Sequence, residues 1–230
     1  AMLVRQMISN QVAGLAISVS ESTENGDHFE AVKRMNIPLV FFDRQIEGYQ
    51  TCKVVVNDYQ GAYRMVSYLI ERGCKRIAHL AGRPNLSVSK DRLAGYLDAL
   101  KDHELPIDES LIQYGRFREI SGEEGAKYLL NLPEPPDAIF AVNDFVALGT
   151  YNQIKAHGKR IPEDICVAGF GNVQMAQYLD PPQTTVIQSP NRIGNLVAET
   201  ILEKIQDKDK VSEPTVHILD TELVIRESTR

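Results

Sequence analysis

Short apolar runs alternate with longer amphipathic stretches along most of this chain. Runs rich in Val, Ile and Phe occur at Gly14–Ser20, Pro38–Asp43, Lys53–Asn57, Arg76–Gly82, Asp137–Asn143, Ile165–Gly171 and Thr184–Gln188. Each is short and ends in a polar residue or Gly, the pattern of strands buried on both faces of a parallel sheet. The stretches between them have helical spacing. In Asp58–Arg72 the apolar positions Ala62, Met65, Val66, Leu69 and Ile70 share one face, with Asn57 or Asp58 to cap the start and Gly73 to close the end. Further helices are predicted from about Asp144 to His157, closed by Gly158, and over Asn191–Gln206, before a charged loop at Asp207–Lys210 and a last strand at Thr221–Glu227. The sequences Arg72-Gly73-Cys74-Lys75-Arg76-Ile77 and His157-Gly158-Lys159-Arg160-Ile161-Pro162 read as one helix-to-strand turn used twice, with cations near the negative helix end. The expected class is alternating α/β with mostly parallel sheets.

A chain of 230 residues with 43% hydrophobic and 24% charged residues has room for two modest domains. A net charge of −6, mixed along the whole length, argues against a nucleic-acid-binding surface within this stretch. No apolar run is long enough to span a membrane, and Ala1–Asn10 has no signal-peptide pattern. Cys52, Cys74 and Cys166 are far apart and read as reduced thiols of a cytoplasmic protein, with no metal site among them.

In open α/β sheets ligands bind beyond the carboxyl ends of the strands. Those ends carry Ser18 and Ser20, Asp43, Asn143 with Asp144, Gly171 with Asn172, and Gln188, with Phe42, Phe117 and Phe170 nearby in sequence. Amides, a few charges and rings suit polyhydroxylated or heterocyclic ligands. Taken singly, each has another reading: Asn143 as a helix cap, Asp43 as a strand end, Phe42 and Phe117 as core, Gln188 as a solvated loop residue. His79, mid-strand, reads as a core histidine. Gly169-Phe170-Gly171 lacks the third glycine of a dinucleotide fingerprint. No hydrolase elbow, zinc-binding HExxH or Walker loop is present, so the chain reads as a non-enzyme with no catalytic residue, no metal and no cofactor.

The segment Asp91-Arg92-Leu93-Ala94-Gly95-Tyr96-Leu97-Asp98-Ala99-Leu100 resembles the R-x-x-G-[FWY]-x-x-A-L helix of lactose-repressor-type regulators. Four more segments follow the family's order: Gly73–Gly82, Ala141–Gly149, Ile161–Phe170 and Pro181–Val186. The resemblance implies two Rossmann-like subdomains joined by three crossovers, with a ligand cleft between them. By that placement residues 1–55 with 189–211 form the first and 56–188 with 212–230 the second, crossing near Val55, Ser189 and Val211. It implies effector contacts from Ser18, Asp43, Arg92 (through its guanidinium fork), Phe117 (stacking), Asn143 and Gln188. Many members carry Asp-Asp where this chain has Gly171-Asn172, so Asn172 is the expected replacement for part of a lost carboxylate contact. The implied function is the effector-sensing and dimerisation core of a DNA-binding transcriptional regulator, its partners a sugar-like effector, a second copy and operator DNA. DNA would be held by a headpiece expected, with the first βαβ, ahead of Ala1. The helix Asp58–Arg72 and the surface at Met175–Leu179 are the faces expected to meet the second copy. The alternative is a periplasmic sugar-binding protein of a transporter.

Overall fold

The computed structural model describes residues 1–23, 25–206 and 213–230. Along the chain the elements are α1 (Met2–Ser9), β1 (Leu15–Ile17), α2 (Glu30–Arg34), β2 (Leu39–Phe42), β3 (Cys52–Val56), α3 (Asp58–Glu71), β4 (Ile77–Ala81), α4 (Ser87–Asp102), β5 (Ile112–Tyr114), α5 (Glu119–Leu130), β6 (Ala138–Ala141), α6 (Asp144–Ala156), β7 (Cys166–Ala168), β8 (Thr185–Ile187), α7 (Pro190–Gln206), β9 (Val216–Leu219) and β10 (Glu222–Val224). They form two compact units, one of residues 1–56, 85–87 and 189–219, the other of 57–84, 88–188 and 220–230. Among the described residues no helix is long and apolar enough to cross a membrane.

The first unit is built on a parallel sheet ordered β1-β2-β3-β9. Because successive side chains on a strand point to opposite faces, β2 feeds two clusters. Leu39 and Phe41 pack with Phe29, Val32 and Val4 on one side, while Val40 meets Val54, Cys52 and Val197 of α7 on the other. The expected third crossing, near Val211, lies outside the described residues. Val216–Leu219 pairs with Lys53–Val56, so the chain passes between units at Leu219–Asp220.

The second unit carries a parallel sheet ordered β5-β4-β6-β7, with helices on both faces. Ile139 and Ala141 of β6 join Leu80, Leu129 and Ile154 on the α5–α6 side. Ala138 and Phe140 join Met65, Leu69, Tyr96 and Ala99 on the α3–α4 side. Burial on both faces explains why β6 is an uninterrupted apolar run and β4 is one except for His79. The helix-ending half of the repeated turn is present in both copies, Gly73 and Gly158 having positive φ, but only the first leads promptly into a strand, since β7 begins at Cys166 after a further turn at 161–164. In each the following N–H (Cys74, Lys159) bonds the carbonyl five residues back (Leu69, Ile154). β8 pairs antiparallel with β10.

His79 lies fully buried in the core, stacked on Tyr96 and Phe140, its Nδ1 2.9 Å from the Phe140 carbonyl. Burial lowers its pKa to about 4, so it is neutral at physiological pH. The cysteines are free thiols; Cys52 and Cys74 are buried, Cys166 half-buried.

Candidate functional site

The carboxyl ends of the second unit's strands gather most of the expected residues. At the end of β6, Asn143 caps α6: its Oδ1 accepts from the Val146 N–H at 2.8 Å. Its Nδ2 donates to the Phe117 carbonyl at 3.3 Å, which brings Asn143 and Phe117 together. The cap reading of Asn143 is thus realised in the structure. The Phe117 side chain is half-buried against the α5–α6 cluster.

Next to Asn143, Asp144 is buried and binds three donors: Thr185 Oγ1 at 2.6 Å, Gln183 Nε2 at 2.7 Å and Val173 N–H at 2.8 Å. Burial raises its pKa, and the Thr185 and Val173 bonds and the nearby Arg92 and Arg226 charges oppose that rise. One carboxylate therefore ties the start of α6 to the loop after β7 and to β8. Sequence reasoning placed Asp144 only at a strand end, as a neighbour of Asn143.

Arg92 departs from expectation. Its fork is turned into the protein: Nε and Nη2 donate to Asp58 Oδ1 at 2.8 and 2.6 Å, and Nη1 donates to the Val142 carbonyl. Its guanidinium carbon sits 3.7 Å from the centroid of the Phe170 ring. Arg92 and Asp58 are each 3% exposed. Asn57 supplies the α3 cap through a 3.1 Å bond from Gln60 N–H, which leaves Asp58 for the arginine.

Asn172 is also committed in part, since its Oδ1 accepts from Arg226 Nη2 at 2.8 Å. It has φ +54 and follows Gly171 at φ +127, a conformation that a side chain makes costly. A Cβ built on Gly171 would come within 3.6 Å of Gln188 Oε1, so Gln188 flanks this loop. Ser89, absent from the expected set, has a buried hydroxyl without a hydrogen-bond partner; a side chain at Gly82 would collide with that hydroxyl and the Phe117 ring. Only an unpaired buried polar atom marks it, and that is invisible in sequence. A separate cavity of about 240 Å³, bounded by Leu80, Gln113, Arg116, Ser121, Glu124 and Val146, lies near the ends of β4 and β5 and includes none of the expected residues.

In the first unit Ser18 Oγ donates to Asp43 Oδ2 at 3.2 Å, and Asp43, at φ +57, also meets Arg44 Nε at 3.4 Å. The two expected residues there are adjacent. Among the described residues no cluster of three or more potential metal ligands occurs.

Residues 66–229 match the family described as periplasmic binding protein-like domain. The transcriptional repressor PurR of Vibrio atlanticus is 35% identical over 228 residues, covering 99% of this chain and 67% of that protein. The repressor ExuR of Bacillus subtilis is 34% identical over 214 residues, covering 93% and 64%. The chain thus spans about two thirds of the length of these curated relatives. Among solved structures, the transcriptional regulator CelR in complex with cellobiose superposes with TM-score 0.90 at 29% identity, covering 99% of this chain and 69% of that one. A LacI-family regulatory protein from Chloroflexus aggregans superposes with TM-score 0.86 at 30% identity, covering 99% and 80%. With its parallel-sheet units, the family match over residues 66–229 and these relatives, the chain belongs to the LacI family of transcriptional regulators and carries that family's periplasmic binding protein-like effector domain.

Proposed function

We propose that this chain senses a small polar molecule and, through a DNA-binding headpiece of the whole protein, converts that binding into a change in operator affinity. The observation that carries the reading is the gathering of Phe117, Asn143, Asn172 and Gln188 at the carboxyl end of one parallel sheet, where such folds bind ligands. Ser18 and Asp43 form a corresponding strand-end pair in the first unit. Regulation then requires only that the ligand bind two arrangements of the protein with different affinity. The relatives are repressors of transcription, which favours a cytoplasmic regulator over a transporter's binding protein or an enzyme. The active form is proposed to be a homodimer. Of the two faces expected to meet the second copy, α3 spends Ala62, Met65, Val66 and Leu69 on its own core, whereas residues 175–179 leave Tyr178 73% exposed.

The test is a thermal-shift screen over sugars, sugar acids, sugar phosphates and nucleobases, followed by calorimetry on Asn143→Ser and Gln188→Ala. Serine retains helix capping while removing the amide, so both variants are expected to fold and to lose at least tenfold in affinity. Wild-type affinity in both would refute the site.

A further inference from the structure

We propose that Asp58 makes this site select uncharged ligands, so that the effector is a neutral, hydrogen-bonding molecule and not a carboxylate or a phosphate. The inference rests on the reading of this strand end as the effector site and adds the charge class of what binds there.

An arginine recognises carboxylate or phosphate by presenting two parallel N–H groups of its planar fork. The Nε–Nη2 edge of Arg92 is occupied by Asp58 Oδ1, and Nη1 is anchored on Val142. Three of its five N–H groups are thereby used, and the Phe170 ring covers one face of the guanidinium. One N–H remains on Nη1 and one on Nη2, both on a guanidinium whose Nε–Nη2 edge is already closed by a carboxylate. The charge is cancelled as well as the geometry. An incoming anion would have to share Arg92 with a carboxylate bonded to it at 2.6 Å, both partners almost fully buried, where like charges repel strongly. The second arginine nearby, Arg226, is held by Asn172 Oδ1 and the Gln183 carbonyl, and the second carboxylate, Asp144, is satisfied by three donors. Both arginines are therefore already engaged by partners within the protein. At Gly171 the position offers backbone alone.

The experiment uses the full chain with the side-chain Nε–H resonance of Arg92 followed by NMR. Glucose and glucuronate, ribose and ribose 5-phosphate, and adenosine and AMP are titrated as matched pairs, with inorganic phosphate as the bare anion probe. In the wild type, the neutral member of any binding pair is expected to bind at least tenfold tighter, and phosphate should leave the Arg92 resonance unmoved. In Asp58→Asn, phosphate should move that resonance and raise the melting temperature. Tighter binding of an anionic member with a shift at Arg92, or no gained phosphate response in Asp58→Asn, would overturn the proposal. If Asp58→Asn does not fold, the wild-type phosphate titration decides alone, because a shift at Arg92 there refutes a neutralised arginine. Neutral ligands that bind but perturb none of Arg92, Asn143 and Gln188 would instead overturn the effector-site reading, while the phosphate result still reports the charge state of Arg92.

Discussion

His79 gives the second unit a pH signature that can be calculated. Buried among Tyr96 and Phe140, it has a pKa of about 4, against 6.5 for an ordinary histidine, because burial penalises the charged ring. The unfolded chain therefore binds a proton that the folded chain refuses between these values. The contribution to stability is complete above pH 6.5 and is lost as pH falls toward 4. With those two pKa values the loss is about 2 kcal/mol at pH 5 and roughly 3 kcal/mol below pH 4. Asp144 acts in the opposite sense, since a buried carboxyl with a raised pKa is relieved by acid, so the histidine must be isolated by substitution. His79→Phe removes the titrating ring and costs some stability at every pH, because the Phe140 carbonyl loses its partner. Its stability should then vary less between pH 7.5 and pH 5 than that of the wild type, by about 2 kcal/mol. Urea unfolding followed by circular dichroism at pH 7.5, 6 and 5 measures the difference. Parallel pH dependences for the two proteins would show that His79 titrates normally in the fold and would refute the reasoning.

Two further perturbations test how the strand ends are held. Asp144→Ala strands three donors, on Thr185, Gln183 and Val173, and is expected to cost about 3–5 kcal/mol, as breaking a buried polar network does. A melting temperature equal to that of the wild type would contradict this. Deleting residues 226–230 removes buried Ser228, which donates to the Val167 carbonyl and accepts from the Thr184 N–H, and also the Arg226 bonds to Asn172 and Gln183. At about 1 kcal/mol per bond the loss should be about 3 kcal/mol or more. Limited proteolysis should cut the truncated chain faster near residues 172–184, and unchanged digestion would count against the tail as a structural strap.

The strands most directly legible in the sequence are those buried along their whole length. β4 and β6 could be read directly because neither face requires polar residues. β5 and β9 are not legible because their residues lack a buried apolar run. Ile112-Gln113-Tyr114 has one strongly apolar residue and an exposed tyrosine, and in β9 Val216 and Ile218 face solvent. Nothing in such short segments distinguishes an edge strand from a loop. The site shows a similar limit. Strand-end chemistry could be listed from sequence, but not which groups are already taken. Arg92 and Asp58 are 34 positions apart, and their pairing exists only once α4 packs beside α3. Asn143 illustrates the same point, because its cap was legible from local spacing whereas its second bond, to Phe117, is 26 positions distant.

The departure at Gly171-Asn172 looked like the loss of one carboxylate, and the backbone shows that it is more than a side-chain change. Gly171 at φ +127 lies where an L side chain is strained, and Asn172 at φ +54 carries the side chain that accepts from Arg226. A Cβ at 171 would meet Asp144 and Gln188 only at ordinary contact distance, but the backbone conformation there strains any L side chain. Restoring a carboxylate there would require the loop to turn, which would draw Asn172 away from Arg226 and disturb the N–H of Val173 that Asp144 holds. The glycine, the left-handed asparagine, Arg226 and Asp144 are thus coupled through one loop, so a substitution at any of them is felt by the others.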